Sequence, residues 1–169
     1  MDELGPIAPR QASEVGAWDQ EADVVVVGFG CGGASAAIAA ASAGAEVLVL
    51  ERSGEGGGAA AMAGGEVYLG GGTAVQRACG FDDSAEAMYG YLMAATGPGP
   101  DEAKIALYCE RSVEHFEWLV GCGVEFKPTF YDRPCWEPPT DDGLVFSGGE
   151  NAFPFNELVT PAPRGHVAK

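Results

Sequence analysis

The sequence predicts an α/β fold built on a parallel sheet, and three observations in one stretch predict it. A run of valines, Val24–Val27, ends in Gly28, Gly30 and Gly33 at G-x-G-x-x-G spacing. A run of small helix-forming residues, ASAAIAAASAG, follows. A second apolar run, Val47–Leu50, then ends on the acid Glu51. Strand, glycine turn, helix and strand in that order make the βαβ unit of a Rossmann-like dinucleotide-binding fold.

Each element has a physical reason. Gly28 permits the tight turn, Gly30 lets the backbone approach a pyrophosphate, and Gly33 lets the helix pack closely on the strand, with Ala37 continuing that small face. The helix N-terminus then faces the phosphates, where unpaired N–H groups and the positive dipole end bind an anion without a basic side chain. Glu51 lies about 20 residues past the glycines, where a carboxylate accepts hydrogen bonds from both hydroxyls of an adenosine ribose. Glu51 would repel a 2′-phosphate, so an unmodified ribose is implied. Arg52 beside it is read equally as a solvated charge or a cofactor contact.

Composition sets limits. The 169 residues are enough for one domain with a real core. A net charge of −16, from 25 acidic and 9 basic residues, argues against nucleic acid or an anionic membrane as partner. The five cysteines, Cys31, Cys79, Cys109, Cys122 and Cys135, form no C-x-x-C pair, which fits reduced thiols and a cytoplasmic location. Cys31 in the glycine loop reads as a tolerated small residue. His115 and His166 lie far from any cluster of ligands, so no metal site is expected. Val24–Ala45 carries no charge, yet it is neither a membrane helix nor a signal core: glycines interrupt it early and Glu21 and Asp23 precede it.

Taken in order, residues 1–20 read as an N-terminal arm, with Trp18 placed to cap the sheet edge. After Glu51 a second glycine-rich segment contains Gly56–Gly58, Gly64–Gly65 and Gly70–Gly72. So much glycine is entropically costly, and a close-fitting ligand would explain it. Met62, Val67, Tyr68 and Leu69 within it suggest a short helix and a strand. Asp83 with Glu86 resembles a capping box opening a helix with Met88, Tyr91, Leu92 and Ala95 on one face. A second helix is expected from about Asp101 to Val120, with Ile105, Tyr108, Cys109, Phe116, Leu119 and Val120 inward, ended by Gly121 and Gly123. Glu110, Glu114, Glu117 and His115 should be solvated. Val124–Phe126 reads as a short strand closed by Pro128. Beyond it, Phe130, Tyr131, Trp136, Phe146, Phe153 and Phe155 sit in a proline-rich stretch read as a long loop, serving as a lid, a pocket wall or a connection.

With these segments in view, the chain resembles the N-terminal part of the FAD-dependent oxidoreductases related to fumarate reductase flavoproteins and 3-ketosteroid dehydrogenases. The carriers are VVVVGFGCGGASAAIAA, VLVLERS, GGAAAMAGGEVYLGGGT, EHFEWLVGCGVEF, PTDDGLVFSGGENAFPF and PAPRGH. The wording GGEVYLGGGT and PAPRGH looks most like dehydrogenases acting on 3-keto-5α-steroids at the 4,5 bond. The resemblance implies a Rossmann-like FAD/NAD(P)-binding fold, incomplete as an N-terminal fragment. Residues 21–160 would form the FAD-binding domain, and 161–169 would begin a junction to an absent substrate-capping domain. Carried over, Gly28, Gly30 and Gly33 contact the pyrophosphate and Glu51, flanked by Arg52, the ribose. Gly57, Gly58, Ala59, Ala63, Gly64 and Gly65 run along the pyrophosphate and flavin.

Two departures matter. Ala59, Ala60, Ala61 and Ala63 stand where relatives carry hydroxyls, so backbone N–H groups must serve instead. No histidine precedes His115, so FAD is expected to bind noncovalently. The family's reaction is oxidation of a C–C bond beside a ketone of a small molecule, here a steroid. Tyr131 is the one weak candidate for the proton-handling role, and this chain alone is expected to be inactive. An NAD-binding domain and a truncated nonenzymatic remnant stay open as alternatives.

Overall fold

The structure, a computed structural model, describes residues 8–133, 135 and 138–168. Trp136 therefore lies outside the described residues. The chain divides into two compact units, Met1–Ala63 and Gly64–Lys169.

In the first unit, β1 (Val24–Val27) pairs in parallel with β2 (Val47–Leu50), Val24 opposite Val47 and Val27 opposite Leu50. Between them runs α1 (Cys31–Ser42), which contacts both strands. This is the expected βαβ unit. Alternation along β1 sends Val24 and Val26 to its more sheltered face and leaves Val25 and Val27 exposed. A helix on one side of a two-stranded sheet covers only one face, and no described residue of this unit is fully buried. Trp18, expected at the sheet edge, is exposed. After β2, a short 3-10 helix, Gly58–Met62, accounts for the helical part of the second glycine segment.

The second unit holds the core and a four-stranded sheet. In chain order its elements are β3 (Glu66–Tyr68), α2 (Ala74–Ala78), α3 (Ala85–Ala95), α4 (Glu102–Glu110) and α5 (Ser112–Gly121). Then come β4 (Phe130–Tyr131), β5 (Leu144–Val145), α6 (Phe155–Leu158) and β6 (Gly165–Val167). The sheet order is β3-β6-β5-β4, with β4–β5 parallel and the other two pairings antiparallel. Leu69, Val75, Phe116 and Leu144 form the buried cluster, with Phe126 and Phe130 packed against it.

Several expectations change here. The supposed long loop after Pro128 contributes β4, β5, α6 and β6. Its strands are two or three residues long, too short to show alternation. Val124–Phe126 makes no strand, only a single antiparallel bridge from Phe126 to Ala168. The one helix expected over Asp101–Val120 is two, interrupted at Arg111, next to Ser112, whose hydroxyl turns inward to accept the Gly70 N–H at 2.8 Å. Tyr108 and Val120, expected inward, are exposed, and the Tyr108 hydroxyl donates to the Tyr68 carbonyl. The helix α3 is capped by Ser84, which accepts from Ala87 N at 3.1 Å, and not by Asp83.

Candidate functional site

Within the first unit, the glycine turn is shaped by contacts that exclude side chains. Gly28 has φ +95°, open to glycine but strained for other residues, and its N–H donates to Leu50 O at 2.7 Å, tying the turn to β2. Gly30 caps α1 in an extended conformation with no side-chain cap, so the first N–H groups of the helix lack partners of that kind. A Cβ on Gly33 would overlap the Gly28 carbonyl oxygen and lie 3.0 Å from its carbon and 3.3 Å from Val26 Cγ1. Helix α1 thus approaches β1 as closely as the motif requires.

Glu51 sits where β2 ends and binds the turn itself. Its carboxylate accepts from Phe29 N at 2.7 Å and from Ser53 N at 2.8 Å. The Phe29 amide first, then the Ser53 amide, hold this carboxyl below its ordinary value. Arg52 is exposed. The segment that follows folds back: Gly57 pairs in parallel with Gly30, and its N–H donates to Phe29 O at 2.6 Å. A Cβ on Gly56 would lie 2.8 Å from Phe29 Cε1, so the ring rests on a glycine. Gly57 (φ +112°) and Gly58 (φ +54°) then lead into the 3-10 helix, which contains Ala59 and ends before Ala63. The structure therefore brings Gly28, Gly30, Gly33, Glu51, Gly57 and Gly58 into one constellation within this unit.

Gly64 and Gly65 open the second unit, where Gly65 O accepts from Ala168 N at 3.0 Å. Tyr131 is half-buried in β4. Gly70–Gly72 differ from the other glycines. Their N–H groups are engaged inside the unit by Ser112 Oγ, Asp83 Oδ2 and Gln76 Oε1 at 2.8, 2.9 and 3.0 Å. A cofactor is not needed to explain them.

The same side chains belong to a buried network that includes Arg164 and His166 of the PAPRGH segment. Arg164 donates from Nε and Nη2 to Asp83 at 3.0 and 2.6 Å, with both side chains fully buried. Burial alone would raise the Asp83 carboxyl, but the hydrogen bonds from Arg164 and Gly71 outweigh it and hold it low. His166 Nδ1 lies 3.0 Å from Arg164 O, an acceptor only, so Nδ1 carries the proton; Nε2, at 2.8 Å from Thr73 Oγ1, then accepts from that hydroxyl. Burial depresses the His166 imidazole, consistent with this neutral form. Tyr68 donates to Glu150 at 2.5 Å, a charge-assisted bond, and burial pushes its phenol far above the usual value. One signal was available in advance: Thr73 and Gln76 have capping-box spacing, and they form that box at α2.

A helix end without a side-chain cap beside close-packed glycines, with a carboxylate held low at the end of β2, is an arrangement that can receive an anion. The FAD binding domain family matches residues 23–163. The chain belongs to the FAD-binding domain family. Its cofactor is FAD. The 3-oxo-5-alpha-steroid 4-dehydrogenase of Comamonas testosteroni is 36% identical over 100% of this FAD-binding chain and 32% of its own length. The crystal structure of a 3-ketosteroid-delta4-(5alpha)-dehydrogenase from Rhodococcus jostii RHA1, in complex with 4-androstene-3,17-dione, is 64% identical with a TM-score of 0.90. That match covers 96% of this chain and 34% of the other. A 3-ketosteroid delta1-dehydrogenase from Sterolibacterium denitrificans is 26% identical with a TM-score of 0.61, over 88% and 23% of the two chains. A flavocytochrome c3 fumarate reductase is 28% identical with a TM-score of 0.55, over 62% and 18%. The chain thus spans about a third of the length of the first two relatives. Among the described residues, no helix is long and apolar enough to cross a membrane.

Proposed function

We propose that this chain is the FAD-binding portion of a flavin-dependent dehydrogenase that oxidises a C–C bond beside a ketone, with a 3-ketosteroid as its small-molecule substrate. The observation that carries the reading is the 64% identity, over 96% of the chain, to a steroid 4,5-dehydrogenase. Bound FAD supplies the hydride acceptor. Gly28, Gly30 and Gly33, with the N-terminus of α1, receive the pyrophosphate, and Glu51, beside Arg52, receives the ribose hydroxyls. Gly57, Gly58, Ala59 and Ala63 of the first unit present backbone to the pyrophosphate. Tyr131 is the residue of this chain we assign to the substrate side, as hydrogen-bond donor or proton carrier. The absence of histidine before His115 supports noncovalent attachment, and five free cysteines support a cytoplasmic location.

The test is spectroscopic. Purified protein should show a flavin absorption band whose chromophore is released by denaturation, and a 3-keto-5α-steroid added without oxygen should leave that band unbleached, because this portion alone is expected to be inactive. Nicotinamide binding without flavin would overturn the cofactor assignment. Bleaching of retained flavin by the steroid would overturn the expectation that this portion alone is inactive and leave the cofactor site standing.

A further inference from the structure

Phe29, the residue between the first two motif glycines, is exposed, yet its backbone N–H and carbonyl are both engaged and its ring has a neighbour. Its N–H donates to Glu51 Oε2 at 2.7 Å, its carbonyl accepts from Gly57 N at 2.6 Å, and its ring lies against Gly56. Glu51 holds a second amide, Ser53 N, through its other oxygen at 2.8 Å. The two carboxylate oxygens offer about four acceptor sites between them. Two are taken by backbone amides, so one on each oxygen is left for a diol.

We propose that Glu51 is a positioning residue for the phosphate loop as well as the ribose acceptor, clamping the Gly28–Gly30 turn and the Ser53–Gly57 return into one register before cofactor binds. The ribose half rests on the FAD reading above; the clamp does not. The chemistry distinguishes this dual role from recognition of the diol alone. Both backbone partners are donors, so both side-chain oxygens must be acceptors. A glutamine would turn an NH2 group toward one of those amides, and no rotamer accepts from both. Glu51→Gln therefore breaks the loop in the cofactor-free protein, where a carboxylate that only read ribose would leave it intact.

The experiment uses amide hydrogen exchange and NMR on the flavin-stripped protein. In Glu51→Gln, exchange at Phe29, Ser53 or both should accelerate by about tenfold or more, as expected for loss of a bond to a charged acceptor. Gly28, bonded to Leu50 O, and Val24, bonded to Glu46 O, should keep their protection. If the variant does not fold, the wild type still decides. On acidification the amide proton shifts of Phe29 and Ser53 should titrate together, with a midpoint below 4.5, while Gly28 stays still. Unchanged protection of both amides in the variant, or wild-type shifts that do not titrate together, overturns the clamp. FAD affinity measured by flavin fluorescence should fall in the variant as well, and FMN, which lacks the adenosine ribose, should also bind more weakly. An unchanged FMN affinity would mean that Glu51 acts on the ribose alone.

Discussion

The glycines of the first turn do different jobs, and three alanine substitutions separate them. At Gly33 a Cβ would overlap the Gly28 carbonyl oxygen and sit 3.0 Å and 3.3 Å from two further atoms, two of the three being backbone that cannot rotate away. Overpacking of this kind costs about 3 kcal/mol. Alanine in a helix gains at most about 1 kcal/mol over glycine, so sterics win and Gly33→Ala should lose about 2 kcal/mol. Gly32, one residue earlier on α1, meets nothing within 4 Å, so only the propensity gain remains and Gly32→Ala should be neutral or stabilising by up to about 1 kcal/mol. Gly30 meets only Gly57 O, at 3.7 Å, an ordinary contact, and its backbone is extended. Its alanine variant should keep the stability of the cofactor-free protein to within about 0.5 kcal/mol. It should nonetheless weaken FAD by about tenfold, if the backbone there must touch the pyrophosphate. Urea midpoints at constant slope measure the first quantity and flavin fluorescence titration the second. A Gly33→Ala protein as stable as wild type would refute the steric argument. A Gly30→Ala protein with unchanged FAD affinity would refute the pyrophosphate assignment.

Two further outcomes concern the buried network of the second unit. Asp83→Asn leaves the fully buried Arg164 without its counter-charge and should destabilise the fold by about 3 kcal/mol or more, read from denaturant midpoints. Because Asp83 is held below the ordinary value of 3.8, its contribution is complete above that pH and lost as pH falls through the folded value; the variant should lack this acid-side slope. His166 is held below 6.5 by burial, so between 6.5 and its folded value the unfolded chain binds the extra proton. Melting temperature should fall as pH drops below 6.5 in wild type, and the slope should flatten in His166→Gln whatever the absolute loss of stability.

The βαβ unit was legible because everything that specifies it is local: Val24–Val27, the glycines and Val47–Leu50 carry their periods and their turn chemistry within one short stretch. In the second unit β3 and α3 were legible locally, but the sheet was not, because its pairing is nonlocal. Glu66 pairs with Val167 and Tyr68 with Gly165, strands of three residues brought together across most of the chain. Asp83 shows the consequence for a single residue. Three residues before Glu86 it has the spacing of a helix cap, and nothing nearby says otherwise; its partner is Arg164, and once the carboxylate is engaged there Ser84 becomes the cap. Glycine composition fails in the same way. Gly56–Gly58 and Gly70–Gly72 look alike as sequence, and both sets include positive φ. They part only in where their N–H groups go. Ser112, Asp83 and Gln76 take those of Gly70–Gly72, whereas Gly57 reaches back to Phe29 and no side chain caps the turn that follows. A glycine-rich run is evidence of close approach by some group, and the identity of that group is decided by residues far away in the chain.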